Sequence, residues 1–300
     1  MSSSLRPVPA IALIAAVAAV SAGARADAES AAGPPSRPAS LRVLLVGNSY
    51  SKFNGLPEVL ERVAGSVAGG PEVRADITFR AGVGLRTHWA RGHARRMIRR
   101  GDYTHVVLQG HSRAVFDGPE ELIRYARRFG REIEEAGATP VLMATWARHP
   151  SSSLYALGED ARTPIEMQTR IDALYARAAA EAGAAVAPVG DAWLVSVARW
   201  PHLRLHRPDA SHPTHRGTYL TASVLYGVLT GRDPREIGYG IPGADPTVLT
   251  RLQAVAAEAV RAHAALEDRP VAEAGPAGEL DRPTTAAGPP REDARALDTP

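Results

Sequence analysis
Five short apolar runs alternate with four stretches of helical spacing between residues 41 and 189, and few folds accept such an order. The runs are Leu41–Val46, Val73–Phe79, Tyr103–Leu108, Thr139–Thr145 and Ala184–Val189. Leu41–Val46 is aliphatic and β-branched and too short for a buried helix, so it reads as a central strand of a parallel sheet. Between the runs, Leu56–Val67, Arg86–Arg100, Pro119–Ala136 and Pro164–Ala182 read as helices. Pro119–Ala136 is the clearest, with Leu122, Ala126, Phe129 and Ile133 on one face. Strand and helix in strict alternation predict a parallel sheet covered on both faces. The expected fold is a three-layer α/β/α sandwich with a five-stranded parallel sheet in flavodoxin-like order. A last helix is expected at Gly217–Thr230, and one domain spans residues 41–266.

The flanks have a different composition. Residues 1–26 carry Arg6, the apolar stretch Val8–Val20 and Ala24-Arg25-Ala26, which fits small-x-small cleavage, so they read as a secretory signal. The apolar stretch is short for a membrane span, and no stable span is expected after cleavage, although retention as an anchor is the alternative. Residues 27–40 read as a linker, and residues 267–300 hold almost no large apolar side chains and read as a disordered tail. The destination is secreted or periplasmic. There are no cysteines, which excludes disulfides, thiolate nucleophiles and cysteine-held metal. The net charge is +3, with arginines clustered at Arg95-Arg96 and Arg99-Arg100. An exported chain has little access to nucleic acid, so these are read as a solvated helix face.

Chemistry is carried by two separated segments. Gly47 ends the first strand and permits a tight turn, which leaves Asn48 and Ser49 outside the carboxyl end of the strand, where open α/β sheets bind ligands. Far along the chain, Pro208-Asp209-Ala210-Ser211-His212-Pro213 offers a carboxylate and an imidazole three residues apart. A serine becomes a nucleophile when a base takes its proton, and a carboxylate holds that base in the right tautomer. Taken singly, Ser49 reads as a turn or capping serine, and Asp209 as a cap for the following helix.

Together, Gly47-Asn48-Ser49 and Asp209-x-x-His212-Pro213, with the Ser…Asp…His order, resemble the SGNH (GDSL-type) hydrolase superfamily. Asn48 for the commoner Asp, Leu108-Gln109 after the third strand, and His212-Pro213-x-x-x-x-Gly217-x-Tyr219-Leu220 are similar to a bacterial branch of largely undefined function. The resemblance implies Ser49 as nucleophile, His212 as base and Asp209 as its orienting acid. It implies an oxyanion hole from the N–H groups of Ser49 and Gly82, with Gly84 as the alternative to Gly82. The superfamily's third donor is an asparagine in Gly-x-Asn-Asp. This chain has Gln109-Gly110-His111-Ser112 there, so Gln109 and His111 are both candidates, His111 by register. A histidine donates best when charged, so a His111 donor is expected to give a bell-shaped pH profile.

Six other histidines, His88, His93, His105, His202, His206 and His215, show no metal-ligand spacing and read as surface or packing residues, with His215 the rival base. No metal and no cofactor is expected. Trp89 and Trp146 lie near strand ends and read as core rather than pocket lining. The expected function is a secreted serine esterase acting through an acyl-enzyme, and the resemblance implies small acyl esters or O-acetyl groups on carbohydrates as its substrates. Water and a sugar both remain open as acyl acceptor. The alternative is a non-catalytic glycan-binding module on the same fold.

Overall fold
The computed structural model describes residues 40–157 and 161–267. The expected signal lies outside these residues, as do the linker apart from Ser40 and the tail apart from Glu267.

The chain begins with β1 (Leu41–Gly47), a short α1 (Ser49–Lys52), a single 3-10 turn, α2 (Leu56–Gly65) and β2 (Val73–Phe79). It continues with α3 (Leu85–Arg91), α4 (His93–Arg100) and β3 (His105–Leu108). Then come α5 (Ala114–Asp117), α6 (Pro119–Glu135), β4 (Thr139–Met143), α7 (Ser153–Leu157) and α8 (Pro164–Ala182). The order closes with β5 (Ala185–Ala187), α9 (Val189–Arg199), α10 (His215–Thr230) and α11 (Pro246–Glu267). The five strands pair in parallel in the order β2-β1-β3-β4-β5, the flavodoxin-like order expected from the sequence.

Side chains of β1 alternate between the two faces of the sheet, as the pleat requires. Val43 and Leu45 join the core under α2, α9, α10 and α11. Leu44 and Val46 join the core under α3, α4, α6 and α8. Both sets are fully buried, which is why β1 reads as an unbroken apolar run.

Three differences from the sequence reading have local causes. The single helix expected over Arg86–Arg100 breaks at Gly92, whose φ of +67° is left-handed and favours glycine. The fifth strand is only three residues long, and Pro188 then caps α9, so Val189 begins a helix rather than ending a strand. The last helix is not α10, because α11 follows and packs against α10 and α9 through Val248, Leu252 and Val255.

The arrangement puts the β1–α1 turn at the point where the sheet order reverses. The second strand lies to one side of β1 and the third to the other, and a crevice forms outside their carboxyl ends.

Candidate active site
The β1–α1 turn is held by side chains from two other loops. Asn48 caps α1, its Oδ1 accepting from the Tyr50 N–H at 3.0 Å. Its Nδ2 donates to the carbonyls of Val83, at 3.1 Å, and Gly110, at 3.3 Å. One amide therefore ties the serine turn to the loops after β2 and β3, the two loops that carry the candidate oxyanion donors. Gln109 completes the anchorage. It is fully buried, and its Oε1 accepts from the Asn48 N–H at 2.8 Å and from the Ser51 hydroxyl at 3.1 Å. Its amide nitrogen donates to the Gly110 carbonyl. Both the oxygen and the nitrogen of the Gln109 amide thus have partners inside the turn. His88, also buried, bonds the Gly47 carbonyl through Nε2 at 2.8 Å, and burial lowers its pKa.

Ser49 opens α1, so its N–H belongs to the first turn, where helical N–H groups have no acceptor within the helix. Its Oγ lies 2.9 Å from His212 Nε2. The other ring nitrogen, Nδ1, lies 2.8 Å from Asp209 Oδ2. Asp209 Oδ1 accepts the N–H groups of Ser211 and His212, both at 2.9 Å. This tight loop needs a left-handed residue at Ala210, with φ +58°. Burial alone would raise the Asp209 pKa, but the hydrogen bonds from the His212 N–H, the His212 ring and the Ser211 N–H outweigh it and leave it lowered. A carboxylate that stays ionised can steady an imidazolium as it forms.

The imidazole is also held from its sides. The Phe53 ring stacks on it at 4.4 Å, and the Tyr50 ring meets it edge-on at 5.6 Å. Asn54, in the left-handed region at φ +54°, donates to the Pro213 carbonyl at 3.0 Å and to Thr218 Oγ1 at 2.8 Å. It pins the turn after Ser49 to the segment after His212. His215, the rival base, is exposed at the start of α10.

Of the candidate donors, Gly82, Gly84 and His111 border a cavity of about 280 Å³, whose lining also includes Asp117 and Glu121 but neither Ser49 nor Gln109. Gly82 has φ +68° and is exposed, so its backbone is open at the cavity mouth. His111 Nδ1 accepts from the Arg113 N–H at 3.3 Å, while Asp117 Oδ2, at 3.9 Å, is too far for a hydrogen bond. Nδ1 is therefore the acceptor, and Nε2 carries the proton. Burial lowers the His111 pKa, helped by the charges of Arg148 and Arg113 and opposed by those of Asp117 and Glu121. Burial thus favours the neutral ring, which presents its Nε2–H as a donor.

The sequence reading missed Tyr50, Ser211 and Arg148. Tyr50 Oη lies 2.8 Å from Ser211 Oγ and accepts from Arg148 Nη1 at 2.7 Å. Arg148 Nη2 donates to Ser112 Oγ at 3.1 Å. Trp146 Nε1 donates to the Ser211 carbonyl at 2.9 Å, and its ring lies between Tyr50, at 4.4 Å, and Trp193, at 4.0 Å. Arg148 stands just beyond the end of β4, and a charged residue at a strand's carboxyl end was the available signal. Trp146 is core, as expected, and so largely is Trp89, packed on Phe129. Among the described residues, no group of three or more His, Cys, Asp or Glu is placed to hold a metal ion.

No family model and no curated protein matches the chain. Solved structures do. A protein described as a candidate SGNH hydrolase from Slackia heliotrinireducens is 27% identical, with a TM-score of 0.54 over 63% of this chain and 99% of that one. A DUF4886 family protein from Bacteroides uniformis is 19% identical, with a TM-score of 0.62 over 74% of this chain and 95% of that one. An acetyl xylan esterase is 9% identical, with a TM-score of 0.50 over 63% of this chain and all of that one. With its sheet order, its helices on both faces and these neighbours, the chain has the fold of the SGNH (GDSL-type) hydrolases, the superfamily that its motifs resemble.

Proposed function
We propose that the protein is an exported serine esterase with Ser49 as nucleophile, His212 as general base and Asp209 as the acid that orients it. The observation that carries this reading is the unbroken hydrogen-bond chain from Ser49 Oγ to His212 to Asp209, at 2.9 and 2.8 Å. As Oγ attacks an ester carbonyl, its proton passes to His212 Nε2 and the carbonyl oxygen becomes an anion. The N–H groups of Ser49 and Gly82 and the Nε2–H of His111 are the donors we assign to that anion. The tetrahedral intermediate collapses to an acyl-enzyme, and His212 gives its proton to the leaving alcohol. Water then attacks the acyl group, with His212 again as base, and frees Ser49. No step calls for a metal or a cofactor.

The substrates are small acyl esters, with O-acetyl groups on carbohydrates a candidate class, in keeping with the acetyl xylan esterase among the structural neighbours. The test uses protein lacking residues 1–26 and a short-chain chromogenic ester. Hydrolysis by the parent, and a loss of at least ~1,000-fold in kcat for Ser49→Ala with an unchanged melting temperature, is the expected result. A folded Ser49→Ala variant with parental activity rejects the assignment. A folded parent that binds glycan and cleaves no ester is instead the binding module.

A further inference from the structure
The loop after β4 places a cation that the proposed reaction does not use beside the site, outside the lining of the cavity that Gly82 and His111 border. Arg148 is partly buried. Its guanidinium joins Tyr50, which follows the nucleophile, to Ser112, which follows the third oxyanion candidate. Both partners are neutral hydroxyls. Among the described residues, no carboxylate lies within ion-pair distance of Arg148, whereas Arg95, Arg99, Arg199 and Arg232 each pair with a glutamate. A half-desolvated charge without a counter-charge is costly, and a ligand that supplies one gains what the protein leaves unsatisfied. The guanidinium has further N–H donors to offer, and a planar fork suits a carboxylate.

It is also held in place. It lies over the Tyr50 ring, 5.8 Å from its centre, and that ring is stacked on the buried Trp146. Little side-chain freedom remains to be lost on binding. The charge already reaches His111, whose pKa it helps to lower.

We infer that Arg148 recognises a carboxylate on the ligand of this site, so that the substrate class is an ester carrying a negative charge close to the scissile bond. The inference rests on the esterase reading and names the substrate class of that same site. Were Arg148 only a clamp between two loops, its removal would lower stability or all rates together and would leave selectivity untouched.

The experiment measures kcat/KM on two pairs of esters. In one, the 4-nitrophenyl monoester of adipic acid is set against 4-nitrophenyl hexanoate, so that a carboxylate is added to the acyl side. In the other, 4-acetoxybenzoate is set against its methyl ester, so that the carboxylate is on the leaving group. The parent is expected to favour the charged member of at least one pair by about 10- to 100-fold, the range of a charge-assisted hydrogen bond. That preference should shrink as salt is added. Arg148→Met should bring the ratio close to one, and Arg148→Lys should restore part of it.

Equal rates within both pairs in the parent overturn the inference while leaving the esterase reading intact. So does a folded Arg148→Met variant that keeps the preference. If no ester is cleaved at all, the esterase reading fails, and calorimetric titration with adipate decides the matter. Saturable binding that Arg148→Met abolishes supports carboxylate recognition, and no binding by the parent rejects it.

Discussion
At the scale of single residues, the proposed chemistry depends on which nitrogens carry protons. His212 has to be neutral to accept the Ser49 proton, and its Nε2 lies 2.9 Å from Ser49 Oγ for that transfer. Burial favours the neutral form of His111 by holding its pKa below the ordinary value, and the Arg113 N–H fixes the proton on Nε2. A neutral donor has no proton to lose on the alkaline side, so His111 should add no alkaline fall to the pH profile. His111→Ala should lower kcat by roughly 100-fold or more, and His111→Asn, which keeps a donor, should recover much of it. A steep alkaline fall in the parent that disappears in His111→Asn would return the role to a charged histidine. Ser49, Asp209 and His212 could be picked out of the sequence because the chemistry needs those residue types and Asp209 sits three residues from His212. Arg148 left only a charge beyond a strand's carboxyl end as a signal, and the positioning role of Gln109 left none. What they do depends on partners 36 to 98 residues away, and local patterns carry no record of such pairings.

At the scale of elements, the strands were legible because β1, β3 and β4 are buried on both faces and so carry continuous apolar runs. The fifth strand is so short that Val189 looked like its continuation, when it already belongs to α9. The eleventh helix does show its spacing in the sequence, at Val248, Leu252, Val255 and Ala259, all turned into the core. The break at Gly92 was hidden because glycine can continue a helix at modest cost, and only its left-handed φ shows that it does not. Gly130 was unreadable for a similar reason. It lies within the regular spacing of α6, yet a Cβ there would collide with the Ala182 carbonyl at the end of α8. A backbone atom cannot step aside as a flexible side chain can. Gly130→Ala should therefore destabilise the fold by about 1–3 kcal/mol, despite alanine's better helix propensity. Chemical denaturation at neutral pH checks this, and an unchanged or higher midpoint would show that the two helices can part at no cost.

At the scale of the whole molecule, two buried groups pull its acid–base balance in opposite directions. His206 donates through Nε2 to the Ala147 carbonyl, while its Nδ1 is buried without a partner. Protonating Nδ1 would bury a charged N–H with no acceptor, and burial accordingly lowers the pKa to about 4. Its contribution is complete above its ordinary value of 6.5 and is lost as pH falls through about 4, a difference of about 3 kcal/mol. Asp172 has the opposite sign. Burial, and then the neighbouring Asp191 carboxylate, raise its pKa to about 7. Its contribution is complete below its ordinary value of 3.8 and is lost as pH rises through about 7. The two windows overlap and partly cancel. His206→Gln should therefore make the melting temperature fall more steeply, relative to the parent, from pH 4 to pH 7. Asp172→Asn should make it fall more steeply from pH 7 towards pH 4. Parallel curves for parent and variants would remove both groups from the balance.

The row of rings that runs inward from the nucleophile's neighbour also gives the molecule an optical property. Tyr50, Trp146 and Trp193 lie face to face in sequence, within 6° of parallel at each step. Two indoles stacked in this way lie within coupling distance, and the outer ring of the row meets both the imidazole of His212 and the guanidinium of Arg148. A colourless, unreactive ligand that occupies the site is therefore expected to change the near-ultraviolet circular dichroism of the unlabelled protein, and titration followed at those wavelengths checks this.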